Sequence, residues 1–288
     1  MEIPFISTLG TMIMFDYDFM RHAFAAACVV AIVSGAVGYF LVLRGQTFAG
    51  HALAHVGFTG ATGAVLIGSA PLWGMVLMTV AAGIGMGFMG ERLSQRDVAI
   101  GLVLAFSLGL GLLFLHFYTA FAAQASTLLF GNVLAVDVNT IWALLALGAV
   151  SLGALAVISR PLLFASLQPE LAEAKGVSLR LYGVLFLIVV ALATAECAQI
   201  VGVLLVFALM VGPAAAAQRL THRLAAGVLL SVMLALVEAW LGIVLAYYTD
   251  WPSSFWITAL SIAIYILAAT LMPPYRNYWR LRKSERLS

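Results

Sequence analysis

Charged side chains are scarce in this chain. Lysine, arginine, aspartate and glutamate make up 9% of its 288 residues, against about 25% in soluble domains. Hydrophobic residues account for 64%, and the mean hydropathy is +1.10. This composition excludes a soluble globular fold, and apolar stretches long enough to cross a bilayer recur along nearly the whole chain. We therefore predict an all-α, polytopic integral membrane protein with one transmembrane domain over residues 1–288.

Cysteine and lysine are also rare. The two cysteines, Cys28 and Cys197, have no metal-type spacing, which argues against a disulfide framework or a zinc ribbon. The two lysines, Lys175 and Lys283, belong to no G-x-x-x-x-G-K-[ST] motif, so the chain cannot build a P-loop. We expect no permanently bound cofactor and no nucleic-acid partner, and any ATP hydrolysis must be carried out by another subunit.

Apolar stretches of about spanning length number nine. The run from Leu181 to Gln218 would be about 57 Å long as one helix, so it must turn back, and its polar break is Glu196 to Gln199. The nine stretches lie at about 22–43, 47–68, 72–90, 98–117, 138–159, 181–196, 199–218, 224–248 and 254–272.

The basic residues predict the orientation of the chain in the membrane. Thirteen of the fourteen fall in alternate loops or in the tail, with Arg21 as the exception, and the positive-inside rule makes that side cytoplasmic. This orientation predicts an extracytoplasmic N-terminal segment at 1–19 and a basic cytoplasmic tail at 273–288. The loop after the fourth span contains "STLLFGNVLAV", which is too short to cross and predicts a re-entrant or surface helix, interrupted at Gly131 and Asn132.

Two histidines lie in the second stretch, in the sequence "GHALAH". His51 and His55 are four residues apart and share one face of a helix, so they can grip a metal ion together. Ionisable groups deep in a membrane usually line a pathway or a site, although hydrogen bonds to neighbouring helices would also explain them. Imidazole suits zinc, copper, nickel and iron, whereas manganese prefers more oxygen ligands.

Catalysis at this pair is less well supported than transport. In the motif H-E-x-x-H a glutamate acts as the general base, and Ala52 occupies that position here. Two ligands also leave a tetrahedral site incomplete. Further donors could be Glu238, which is the weak candidate in the eighth span, Glu196 or Asp137, or a second copy of the same helix.

The loop at residues 160–180 predicts a short helix that projects from the membrane. Pro169 begins it, Glu170 complements its N-terminal dipole, Lys175 falls in the last turn and Gly176 ends it. Docking on a soluble partner and a lone surface helix are both compatible with this pattern. Pro213 would kink the seventh span, at a position that serves packing or gating.

Several segments in this order resemble the permease subunits of bacterial ATP-binding-cassette importers for zinc, manganese or iron. They run from about Ala23 to Leu271 and include "FLVLRGQTFAGHALAHVGFTG", "LLFGNVLAV", "LQPELAEAKGV" and "QIVGVLLVFALMVGPAAAAQRL". The resemblance implies a type II importer-like permease in the inner membrane, surrounded by lipid. It also implies a homodimer, an ATP-binding-cassette ATPase in the cytoplasm and an extracytoplasmic metal-binding protein.

The resemblance also bears on single residues. In that family the position of His51 is usually aspartate, whereas His55 matches the usual histidine, and the change to imidazole favours zinc over manganese and iron. A proton-coupled secondary metal transporter and an intramembrane metalloenzyme are the alternatives. The residues that the resemblance assigns to ATPase coupling are Gln168, Pro169, Glu170, Leu171, Ala172, Glu173, Lys175 and Gly176.

Overall fold

The computed structural model describes residue 14 and residues 16–88, 93–117, 128–131 and 133–271. Within these ranges the chain contains helices and no strand, which confirms the all-α prediction. Most of the N-terminal segment at 1–19 and the whole tail at 273–288 lie outside the described residues. The helices are α1 (Asp18–Leu43), α2 (Thr47–Leu66), α3 (Pro71–Phe88), α4 (Leu93–His116), α5 (Val138–Leu167), α6 (Pro169–Ala174), α7 (Leu179–Val201), α8 (Val206–Leu220), α9 (Leu224–Thr249) and α10 (Ser253–Leu271).

Nine of these helices coincide with the nine predicted apolar stretches, and α6 is the additional short helix. Seven of the nine are long and apolar enough to cross a membrane, and α2 and α8 are the other two. Helix α8 has 15 residues, and α2 contains histidine, threonine and glycine. Both can be less apolar because they are surrounded by protein: α2 packs on α3, α4, α7 and α8, and α8 packs on α1, α9 and α10.

Two predicted boundaries are wrong. Helix α5 continues through Arg160 and Pro161 to Leu167, so the loop predicted at 160–180 begins only at Gln168. Proline removes one backbone hydrogen bond, but Leu162 and Ala165 remain buried and hold the end of the helix. The polar residues at 196–199 lie inside α7, and the chain turns instead at Gly202, whose φ of 82° suits glycine.

The turn between α7 and α8 pairs with the segment at 128–131. The backbone N–H of Val203 donates to the carbonyl of Leu128 at 3.3 Å, and that of Leu204 donates to Leu129 at 3.2 Å. Gly131 and Gly202 lie backbone to backbone, and a Cβ on either would overlap the other segment. Amides that an uninterrupted helix would have bonded are therefore satisfied by carbonyls of a second short segment, which is helical at 128–130 and ends at Gly131, as the interior of a membrane protein requires.

One end of the bundle carries the basic residues that the structure describes, except Arg21, and we call it the basic end. There Arg44 donates to Ser166 Oγ at 2.5 Å, which joins the α1–α2 turn to the end of α5. Arg180 at the start of α7 donates to the carbonyl of Phe88 at the end of α3, at 3.4 Å. The alternation of helices agrees with the alternate-loop pattern of the charges, and which side of the membrane this end faces stays a prediction of the positive-inside rule.

Helix α6 projects from the basic end. Pro169 occupies its first turn and Gly176, with φ of 81°, follows its end, as the sequence predicts. Ala172 is fully buried against Ala165 and Leu179, which holds the helix on the bundle. The α8 helix continues through Pro213, which is buried.

Glycines allow the helices to approach closely. A Cβ at Gly74 of α3 would overlap the carbonyl oxygen of Gly60 of α2, and a Cβ at Gly60 would overlap that of Gly74. We expect Gly74→Ala to destabilise the protein by about 1–3 kcal/mol, as overpacking does, because backbone atoms cannot move aside without separating α2 from α3. The measurement is the thermal unfolding midpoint in detergent.

The matched control is Gly85→Ala on the same helix, where a Cβ would meet no atom within 4 Å. This change should be neutral or slightly stabilising, because alanine favours the helix over glycine by about 1 kcal/mol. Equal midpoints for the two variants would contradict the close contact between α2 and α3.

Candidate metal site

His51 and His55 lie side by side on α2. Their ring centroids are 4.9 Å apart and the ring planes meet at 86°. His51 is half-buried and His55 is 8% exposed. The four-residue spacing thus places both rings on one face of the helix, within the packed bundle.

Phe207 packs against the pair from α8. Its ring centroid is 5.6 Å from that of His51, edge to face. Phe207 is the second residue of α8 and follows directly on the turn at Gly202. Sequence reasoning missed this residue, since nothing in the pattern of "VGVLLVFALM" places one aromatic ring opposite a histidine of another helix.

The two imidazoles have unsatisfied nitrogen atoms. Nδ1 of His51 and Nδ1 of His55 are buried and have no hydrogen-bond partner among the described residues. A buried polar atom without a partner costs about 1–3 kcal/mol, and such an atom in a native structure calls for an explanation. A neutral imidazole nitrogen is a good ligand for a divalent transition metal, so these atoms fit a passing ion.

The proposed oxygen donors do not join the pair within one chain. No group of three or more His, Cys, Asp or Glu side chains that could hold a metal forms among the described residues. Glu238 is fully buried on α9, which packs on α1, α8 and α10. Glu196 is fully buried on α7 and accepts a hydrogen bond from Ser151 Oγ at 3.3 Å.

Asp137 has a local structural role. It is the N-cap of α5, and its carboxylate accepts a hydrogen bond from the backbone N–H of Thr140 at 3.1 Å. Hydrogen bonding from Thr140 lowers the pKa of this exposed carboxyl. This is an ordinary helix cap, and Asp137 does not contribute to the histidine pair within this chain.

The segment assigned to coupling lies at the basic end. Gln168 ends α5 and precedes α6, and Pro169, Glu170, Leu171 and Glu173 are exposed on α6. The prediction that Lys175 falls in the last turn is wrong, because the helix ends at Ala174 and Lys175 caps it. Its ammonium lies 5.7 Å from the centroid of the Phe164 ring. Ala172 and Gly176 fix the fold of the segment, so its exposed residues form a surface that a partner can contact.

Comparison with known proteins adds to this geometry. The profile of the ABC 3 transport family matches residues 16–272. The manganese transport system membrane protein MntC of Halalkalibacterium halodurans is 29% identical, over 95% of each chain. The manganese import system permease protein ScaB of Streptococcus gordonii is 29% identical, over 91% of this chain and 94% of that protein.

A solved structure has the same fold. It is described as PsaBC from Streptococcus pneumoniae in complex with Fab, and it matches with a TM-score of 0.84 and 26% identity. The match covers 96% of this chain and 100% of the other. The named relatives lend no support to zinc, the metal that the imidazole donors favoured.

The contact between Phe207 and His51 can be tested by chemical modification. We expect Phe207→Ala to raise the rate at which diethyl pyrocarbonate modifies His51, because the aromatic edge that covers this ring is removed. Peptide mass spectrometry of the purified protein measures the rate. His55, which is more deeply buried, should respond less.

Phe255→Ala is the control. Phe255 is 49% exposed, close to the 42% of Phe207, and it lies on α10 with its ring centroid 5.4 Å from that of Trp251. If both alanine variants leave the His51 rate as in the unmodified protein, Phe207 does not cover the pair.

Proposed function

The chain belongs to the ABC 3 transport family, and on that basis we propose that it is the permease through which an ATP-driven importer passes a divalent transition metal, manganese, into the cell. It is a multi-pass protein of the bacterial inner membrane and a permease subunit. ATP is hydrolysed by a separate subunit of such a transporter. The permease therefore supplies the pathway and the partner supplies the energy.

The observation that carries the proposal is the pair of partnerless imidazole nitrogens on α2. Two neutral donors on one helix face can hold a divalent ion, and an incomplete ligand set holds it weakly enough for release. In our proposal the missing ligands come from a second copy of α2 across the axis of a homodimer. The half-exposed edge of His51 in one copy supports this arrangement.

The choice of manganese is supported by the names of the relatives, MntC and ScaB. The donors of this chain favour softer ions, because manganese prefers carboxylate oxygen to imidazole nitrogen. His51 stands where the resembled family usually has aspartate. We therefore propose that manganese is the cargo and that His51 widens the range of metals toward zinc.

The direction of transport rests on the resemblance to importers, and the basic end indicates how such a permease is oriented in the membrane. The positive-inside rule places that end in the cytoplasm, so α6 would meet the ATPase there and a metal-binding protein would deliver the ion at the opposite end. The exposed residues Glu170, Leu171 and Glu173 of α6 support a docking role. In this arrangement the ATPase moves α6 and the movement passes through α5 and α7 into the bundle.

The histidine pair is tested by replacement. We expect His51→Ala and His55→Ala each to lower manganese uptake about tenfold or more, since even the removal of a second-shell partner of a metal ligand costs 10–100-fold. Uptake is measured with radioactive manganese in proteoliposomes that contain the permease, its ATPase and its binding protein. His116→Ala is the control, because that exposed histidine ends α4 away from the pair.

Normal uptake in both histidine variants would refute the site. Loss of uptake with an unchanged thermal midpoint and basal ATP hydrolysis would support it, because the fold and the ATPase contact are then intact. Uptake by the permease without any ATPase would instead support the secondary transporter.

Metal choice is tested at position 51. We expect the unmodified permease to take up manganese in preference to zinc, and His51→Asp to raise the ratio of manganese to zinc, because a carboxylate oxygen suits manganese better. Competition between the two radioactive ions in the same proteoliposomes measures this ratio. If the unmodified permease prefers zinc, the proposed order of the two metals is reversed. If His51→Asp leaves the ratio unchanged, this side chain does not select the ion.

A further inference from the structure

A second polar site lies at the basic end, apart from the histidine pair. It is a crevice of about 730 Å³ between the α1–α2 turn and the ends of α3, α5, α6 and α7. Its floor includes Leu43 and Leu187. Its polar lining consists of Arg44, Gln46, Ser166, Glu173 and Arg180.

Two guanidinium groups line this crevice, Arg44 from the α1–α2 turn and Arg180 from α7. Arg44 is held by its hydrogen bond to Ser166 Oγ, at 2.5 Å, and lies over the ring of Phe186 at 5.5 Å. Arg180 is exposed and lies over the ring of Phe88 at 5.0 Å. A guanidinium has five N–H donors in a planar fork that matches phosphate, so two guanidinium groups around one crevice favour a phosphate ligand.

Acceptor groups complete the lining. The Oε1 atom of Gln46 is buried without a hydrogen-bond partner among the described residues. The carboxylate of Glu173 also lines the crevice and opposes an anion. Both groups can accept hydrogen bonds from hydroxyl groups, so a ligand that carries hydroxyls beside its phosphate fits this lining better than a bare anion.

The surroundings of the crevice are apolar. Phe88, Leu167 and Leu181 are 56%, 70% and 54% exposed at the ends of α3, α5 and α7. In a membrane, apolar side chains at helix ends meet the acyl chains and cations meet the headgroups. Arginines beside an apolar rim match an amphipathic lipid, because its phosphate meets the cations and its acyl chains meet the rim. An acidic side chain of a soluble protein matches only the cations.

We propose that this crevice binds the headgroup of an anionic phospholipid, phosphatidylglycerol, with its phosphate between Arg44 and Arg180. Basic pockets between transmembrane helices are known to hold such headgroups. The glycerol hydroxyls donate to Gln46 and Glu173, and the acyl chains follow the apolar rim. Because Pro169 and Glu173 of α6 also line the crevice, the lipid fastens α6 to the bundle. This proposal does not depend on the identity of the transported metal.

The test is lipid retention by the full-length chain in detergent, measured by native mass spectrometry. Phosphatidylglycerol should be retained in preference to phosphatidylcholine. Arg180→Gln should weaken the apparent affinity for phosphatidylglycerol about fivefold, the effect of one basic residue at an anionic lipid surface. Arg160→Gln is the matched control, because this exposed arginine belongs to the same end but does not line the crevice.

Two further variants separate lipid binding from a structural effect. Glu173→Gln removes the opposing charge and should tighten retention, whereas looser retention would contradict a phosphate between the arginines. Arg44→Gln should weaken retention as Arg180→Gln does. Its thermal midpoint in phosphatidylcholine must match that of the unmodified chain, because Arg44 also packs on Phe186.

Competition with inorganic phosphate distinguishes a lipid headgroup from a free phosphate ion as the ligand. If inorganic phosphate displaces the lipid only at a concentration far above that of phosphatidylglycerol, the result supports a lipid site. Displacement at equal concentration would identify a free anion and overturn the proposal. Equal retention of the two lipids, or equal effects of Arg180→Gln and Arg160→Gln, would overturn it as well.

Discussion

The structure depends on one constraint: backbone polar groups inside a bilayer must find hydrogen-bond partners within the protein. Helices meet it along most of the chain. Where α7 stops at Gly202, the segment at 128–131 supplies the carbonyl groups that the free amides need. This pairing fixes where α8 begins, and its first turn then places Phe207 against His51. A break in one helix is thereby linked through a ring contact to the candidate metal site.

Burial also explains why polar residues collect on α2. A helix that faces lipid must be apolar, but α2 is surrounded by four other helices. It can therefore carry His51, His55 and several glycines without exposing them to acyl chains. The glycines bring α3 close through the contact of Gly60 with Gly74. The same close packing that stabilises the bundle leaves the two imidazole nitrogens without protein partners, and this is the condition under which they can bind an ion.

The two ends of the bundle differ in charge, and the basic end is where we place the contacts with the ATPase and with an anionic lipid. At the basic end Arg44, Arg180 and the anchored helix α6 form one connected region, in which charge, an apolar rim and an exposed helix lie together. A soluble ATPase and an anionic lipid would act on the same short helix from its two sides. Energy coupling and lipid composition would then be related through α6.

The sequence by itself determined the membrane character, the approximate positions of the nine longer helices, the start of α6 and the two histidines on one helix face. These features depend on composition, on local spacing and on the signals at helix ends, which neighbours along the chain fix. The tertiary structure alone decided the rest: the extension of α5 past Pro161, the turn at Gly202 rather than at Glu196, the contact of Phe207 with His51, and the separation of Glu238 from the pair within one chain. Each of these depends on residues distant in sequence, because a buried carboxylate or a helix break is placed by the helices packed around it. No local pattern records which helices those are.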